Sequence, residues 1–222
     1  MFIKHHAVVA TSILAIAWIP LTSTARPIAY ADATTFMAEY GRDSRDLSLY
    51  YAPRFDRSYG GGWHRYRREA HHGTALEREF HFLRINHLAH RWNLPRAQAN
   101  AFLWASLGVA RGSEFSGRKS AANLGFQLDY ETLRVYTMLK SDYWHTSPYS
   151  HRMDVAQFGF APYQHRYGGW ATWLVAQLDQ SSGALDREQG GAVMLRFFNQ
   201  TTWIEAGVDN DGKPRANLMI NF

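Results

Sequence analysis

From about residue 98 to its end, this chain alternates apolar and polar side chains with a period of two, in segment after segment. That period sends successive side chains to opposite faces of an extended strand. In AANLGFQLDY, residues 121–130, Ala122, Leu124, Phe126, Leu128 and Tyr130 share one face, and Asn123, Gly125, Gln127 and Asp129 share the other. LRVYTMLKSDYW, residues 133–144, sets Leu133, Val135, Thr137, Leu139 and Tyr143 against Arg134, Tyr136, Met138, Lys140 and Asp142. A two-residue turn at Glu131-Thr132 predicts that Tyr130 meets Leu133, Leu128 meets Val135, and Asp129 meets Arg134 on the polar face. Near the end, a turn at Gln200-Thr201 pairs Phe197 with Ile204, Leu195 with Ala206, Phe198 with Trp203 and Arg196 with Glu205. Asn210-Asp211-Gly212 then offers Gly where a left-handed residue is wanted.

The same reading extends over the rest of the chain. Segments 34–40, 45–53, 58–69, 78–92, 99–111, 151–163, 169–179 and 214–222 complete twelve strands, or ten without the two weakest. The alternation of 78–92 is blurred, and a break of step between Asp154 and Phe158 predicts a bulge near Ala156-Gln157. His87 and His90, three apart, would face opposite ways in a regular strand. No segment reads as a helix, so the expectation is a single all-β domain. Residues 1–31 read as a secretory leader: a basic start at Lys4, an apolar run from Ala7 to Leu21, and Ala29-Tyr30-Ala31 as a small-x-small cleavage site. A second possible cleavage point follows Ala25. The domain is then 32–222. The chain has no Cys, which removes disulfides, thiol nucleophiles and thiolate metal sites. The basic excess is mild once Lys4 and Arg26 leave with the leader, and it does not point to nucleic acid.

Which face meets solvent decides the rest. A soluble barrel turns its apolar face inward, whereas an outer-membrane barrel turns it to lipid and closes its sheet so that every backbone group is paired. Three features favour the second. Aliphatic residues occupy mid-strand with Tyr130, Tyr143, Trp144 and Trp170 toward the ends, as in an aromatic girdle. The segments approach the ~9–11 residues that cross a bilayer. The polar face also carries opposed charges, which a narrow lumen needs more than a wetted surface does. With Phe222 as the last residue, and Leu218 and Ile220 alternating before it, the chain resembles the bacterial outer-membrane β-barrel class.

That resemblance implies a single antiparallel up-and-down transmembrane barrel of about twelve strands. It implies outer-membrane lipid and the barrel-assembly machinery as partners, with Leu218, Ile220 and Phe222 as the assembly signal. It also puts turns 131–132, 164–168 and 200–201 on the periplasmic side, and 70–77, 112–119, 145–150, 180–190 and 210–212 outside. The lumen network is then Asp129, Arg134, Lys140, Asp142, Asp154, Asp179, Arg196 and Glu205, either closing the barrel or lining a channel. Tyr136, Met138, Trp173, Phe198 and Trp203 on the same face predict a constricted interior. The expected function is structural, or a narrow pore for small solutes. Two alternatives stand beside it: an outer-membrane hydrolase of lipid or peptide, and a soluble periplasmic barrel holding an apolar ligand. His145-Thr146-Ser147 is the nearest approach to a nucleophile motif, but Pro148 follows where barrel lipases carry Asn-Gly. His71, His72, His145 and His151 are weak metal candidates without ligand spacing. No cofactor is expected, and nothing in the sequence sets the oligomeric state.

Overall fold

The architecture is taken from a computed structural model, which describes residues 28, 30–69, 75–164, 169–183 and 188–222. Twelve strands run in chain order: β1 (Ala33–Tyr40), β2 (Ser44–Arg54), β3 (Arg57–Glu69), β4 (Ala75–Leu94), β5 (Ala97–Gly112), β6 (Phe115–Thr132), β7 (Val135–Thr146), β8 (Ser150–Phe160), β9 (Ala171–Gly183), β10 (Glu188–Asn199), β11 (Thr202–Asp209) and β12 (Pro214–Asn221). Each is antiparallel to the next, and β12 pairs with β1 to close the ring. Closure reaches the last residue, since Phe222 N–H donates to Thr34 O (3.0 Å) and Thr34 N–H donates to Phe222 O (2.7 Å). A closed ring leaves no edge strand unpaired. The start of β1 and the end of β12 lie at one rim, called here the terminus end; the opposite rim is the loop end. The wall is uneven, with β4 of 20 residues facing β11 and β12 of 8 each.

The polarity of the wall is inverted. Leu83, Leu107 and Leu124 are 75%, 73% and 62% exposed, while Asn123, Gln127 and Asp129, neighbours of Leu124 on β6, are buried. Most exposed large apolar side chains project from the outer face of the strands, and the polar residues between them point into the lumen. The barrel is thus all-β and up-and-down, as the alternation predicts.

The β10–β11 hairpin has the predicted register, with Phe197 opposite Ile204 and Arg196 opposite Glu205. Gly212 supplies the left-handed turn residue, at φ +73. The β6–β7 hairpin does not follow the predicted register. Leu128 pairs with Leu139, not Val135, and Asp129 lies opposite Met138, not Arg134. Thr132 causes the change: its Oγ1 accepts from the backbone N–H of Arg134 (3.1 Å) and Val135 (2.8 Å), and holds a wider turn. The shift is even, so every side chain keeps its face.

The expected bulge at Ala156-Gln157 is absent, because β8 pairs without interruption on both sides. Bulges fall instead near Ala89, between Tyr51 and Arg54, and between Ala110 and Gly112. The one at Ala89 accounts for the blurred pattern of 78–92. It also brings His87 and His90, opposite Leu103 and Ala101, onto the same outer face. The segment 112–119, expected as a long loop, is the joined ends of β5 and β6. Longer strands there raise the wall. Segments 70–74 and 184–187 lie outside the described residues.

Three buried clusters fill much of the interior. One gathers Tyr136, Met138, Trp173, Val175, Met194, Phe198, Trp203 and Met219. A second, toward the loop end, gathers Phe80, Phe82, Trp144 and Tyr149. The third packs Ile28, 1% exposed, against Ala52, Leu88, Phe102 and Trp104. Tyr30 Oη also donates to Gln200 O (2.9 Å). Ile28 and Tyr30 therefore engage the barrel, and cleavage after Ala31 would forfeit both contacts. The expected mature N-terminus is Arg26, following the second candidate site, and intact-mass measurement of the exported protein checks it. A mature chain beginning at Asp32 would show that Ile28 is dispensable.

Candidate functional site: the lumen

Side chains from all twelve strands converge below the loop end, because each strand turns one face to the interior. A buried ion pair lies toward the terminus end. Arg196 Nε and Nη2 donate to Glu205 Oε1 at 3.0 and 2.8 Å, and Nη2 also donates to Gln157 Oε1 at 2.9 Å. Asn217 Nδ2 donates to the other carboxylate oxygen at 2.8 Å. The guanidinium lies over Tyr136 and Trp203, 4.3 and 5.1 Å from the ring centroids. Arg196 and Glu205 are 2% and 0% exposed, so the pair is withdrawn from water and its hydrogen-bonding capacity is supplied by neighbours.

Higher in the lumen, Asp142 is the hub. Its Oδ1 accepts from Trp104 Nε1 (2.8 Å) and Asn123 Nδ2 (3.1 Å), while Lys140 lies 3.6 Å and Arg84 3.9 Å away. Lys140 is also 3.7 Å from Glu39. Arg84 donates to Ser106 (2.8 Å) and Asn123 (3.0 Å). Gly125 makes room for this arrangement, since a Cβ there would meet the Trp104 indole. On the opposite wall, Arg215 pairs with Asp179 through two contacts, 2.8 and 3.3 Å. Asp129 accepts from Asn100 (2.6 Å) and Gln127 (3.2 Å).

Six of the eight predicted lumen residues, Asp129, Lys140, Asp142, Asp179, Arg196 and Glu205, face the interior. Two do not. Arg134 sits at the turn between β6 and β7, donates to Ala161 O (3.1 Å) and lies over the Phe160 ring, 4.9 Å from its centroid. It leaves the network because the wider turn removes it from the strand. Asp154 shares the outer face with Phe158 and Arg152, whose Nε it accepts at 2.8 Å. The missing bulge is the reason. Arg84, Glu39 and Arg215 are lumen residues outside the predicted network. Arg215 was recoverable, since it alternates with Asn217, Met219 and Asn221; Arg84 was hidden by the blurred strand.

A cavity of about 210 Å³ runs from the β1–β2 loop, at Arg42 and Asp43, down to Trp203 and Tyr136. That is below the ~300–1,000 Å³ of sites for drug-sized ligands. Beside it, toward β3–β8, the loop end is filled. Arg78 is fully buried, pairs with Glu114 (2.6 and 2.9 Å) and lies 3.6 Å from the Tyr149 ring centroid. Burial pushes the Tyr149 phenol up to about 12, against the opposing pull of that guanidinium.

The other candidates do not assemble into sites. His145 is exposed on the outer face and His151 is buried on the inner one, so they lie on opposite sides of the wall. His71 and His72 lie outside the described residues. Among the described residues no group of three His, Cys, Asp or Glu is placed to hold a metal. Thr146 Oγ1 donates to Tyr149 O (3.1 Å), and His145 and Ser147 make no hydrogen bond with each other among the described residues. No helix among the described residues is long and apolar enough to cross a membrane, a statement that leaves strands aside.

No protein-family model matches the chain, and no characterised protein sequence does. Among solved structures, a KdgM porin in complex with disordered oligogalacturonate is similar over 86% of this chain and 98% of its own, at 8% identity and TM-score 0.49. CdiB from Acinetobacter baumannii is similar over 87% of this chain and 61% of its own, at 9% identity and TM-score 0.27. At these values neither bears on function.

Proposed function

We propose that this chain is an integral outer-membrane β-barrel whose occluded lumen serves as a structural plug or a narrow path for small solutes. The observation that carries the reading is the inverted wall. An outer surface of exposed Leu, Val, Phe and Tyr, around an interior where charge-paired groups sit among packed aromatic clusters, matches what a bilayer demands of a closed sheet. The same polarity disfavours a soluble carrier, which would reserve its apolar face for the ligand. For the hydrolase alternative, no oriented pair of nucleophile and base stands among the described residues. In this reading the loop end faces outward, the termini face the periplasm, and Leu218, Ile220 and Phe222 on the outer face of β12 act as the assembly signal. The leader delivers the chain to the envelope.

The protein is expected to remain with the outer-membrane fraction after salt and alkaline washes. Its gel mobility should shift on boiling, as detergent-resistant barrels do. In planar bilayers it should give steps far smaller than those of a sixteen-stranded porin measured alongside. Recovery in the periplasmic wash would end the membrane reading, and wide, porin-sized steps would end the occluded one.

A further inference from the structure

On the outer wall near the loop end, two like charges face each other. Arg45 of β2 is the direct cross-strand partner of Arg65 of β3. Such opposition destabilises a sheet unless something of opposite charge intervenes. The row continues from Arg65 to Glu79 and on to Arg111, with Arg67 opposite Glu77 one step higher. The carboxylates are already engaged: Glu77 pairs with Arg65 at 2.8 Å, and Glu79 accepts from Trp63 Nε1 (2.9 Å) and contacts His81 (2.7 Å). Arg45 lies over the Tyr40 ring at 5.0 Å. Neither Arg45 nor Arg67 has a carboxylate partner among the described residues.

Between them opens a second cavity, of about 130 Å³, lined by Arg45, Arg65, Arg67 and the β1–β2 loop. Arg42 on its rim is held by Asp211 at 2.7 Å, and the one carboxylate in its lining, Asp43, lies 3.9 Å from Arg42. Basic groups outnumber acidic ones around it.

What lies beneath points to the ligand. The next outward row toward the terminus end is Leu47, Trp63, His81 and Val109, and the row after it is Leu49, Gly61, Leu83 and Leu107. Each step is about 6–7 Å along the strand. Charge therefore gives way to an indole with its N–H on a carboxylate, and then to the most exposed leucines of the wall. That is the sequence of environments from headgroup to acyl chain.

We propose that the Arg45–Arg65–Arg67 cavity binds the phosphate of an anionic lipid, whose acyl chains lie along Leu47, Leu49, Leu83 and Leu107. Guanidinium groups recognise phosphate oxygens through paired N–H donors, and a phosphate here would neutralise the opposed arginines. The inference rests on the membrane reading above.

The test uses the full exported chain reconstituted in phosphatidylcholine, with phosphatidylglycerol or inorganic phosphate added. Wild type is compared with an Arg45→Gln/Arg67→Gln variant. Phosphatidylglycerol should raise the unfolding temperature of wild type, and the variant should bind it roughly 30-fold more weakly. In phosphatidylcholine alone the variant should be no less stable than wild type, because a repulsion has been removed. Equal responses to phosphatidylglycerol would overturn the site. So would an equal shift from inorganic phosphate, which would make it a free-anion site. If neither protein inserts, judged by protease digestion of the vesicles, the membrane reading falls first and takes the lipid site with it.

Discussion

Leu124→Arg is expected to stop the chain from reaching its folded, inserted form. Leu124 stands near the middle of β6, 62% exposed on the outer face, opposite Ala105 on one side and Tyr143 on the other. At that depth an arginine facing lipid costs about 2–4 kcal/mol, a large share of the ~5–15 kcal/mol that holds a typical fold together. If the same face met water, the substitution would stay within about 0.5 kcal/mol and would aid solubility. Ser120→Arg is the matched control. It lies four residues away on the same face, opposite Val109 and nearer the loop end, where the cost falls to about 0–1 kcal/mol. The heat-modifiable fraction recovered from outer membranes measures both. Loss of Leu124→Arg with retention of Ser120→Arg is the expected outcome, and equal yields would mean that the wall does not face hydrocarbon.

The face a strand residue takes survives even-numbered errors in register. In β6 and β7 the pairing expected from a Glu131-Thr132 turn differs from the observed one, yet Leu124, Leu128 and Leu139 remain on the outside because the difference is even. What the sequence could not convey was any feature that shifts step by one residue. Ala89 inserts a single residue into β4, and the alternation of 78–92 dissolves into an average of two patterns. Arg84 disappeared with it, although it supports Asn123 and the Asp142 hub. The opposite error occurred in β8. Arg152 and Asp154 place an ion pair on the outer face, and their polarity alone mimics a change of step. Pairing of charges within a strand, two residues apart, would have been the signal that no bulge was needed. Arg196 and Glu205 were legible because a two-residue turn fixes their register without a side-chain contribution. Arg134 was not, because Thr132 widens its turn through its own hydroxyl.

The Arg196–Glu205 pair carries the second large expectation, since it joins stability to occlusion. Glu205→Ala leaves Arg196, 2% exposed, with Gln157 as its remaining acceptor, and leaves Asn217 Nδ2 without its carboxylate. Breaking one side of a buried pair costs about 3–5 kcal/mol, so the unfolding midpoint of this variant should fall sharply. The Arg196→Ala/Glu205→Ala variant should be less damaged than Glu205→Ala alone, because no uncompensated charge stays behind. It also removes the guanidinium that lies over Tyr136 and Trp203 at the base of the lumen. Its planar-bilayer conductance should therefore rise above that of the wild type, and its steps should grow further with Trp203→Ala added. Midpoints ordered the other way would mean that the pair is not the buried, mutually dependent unit described here. Conductance unchanged in both multiple variants would place the occlusion elsewhere, at the Phe80–Trp144–Tyr149 cluster toward the loop end.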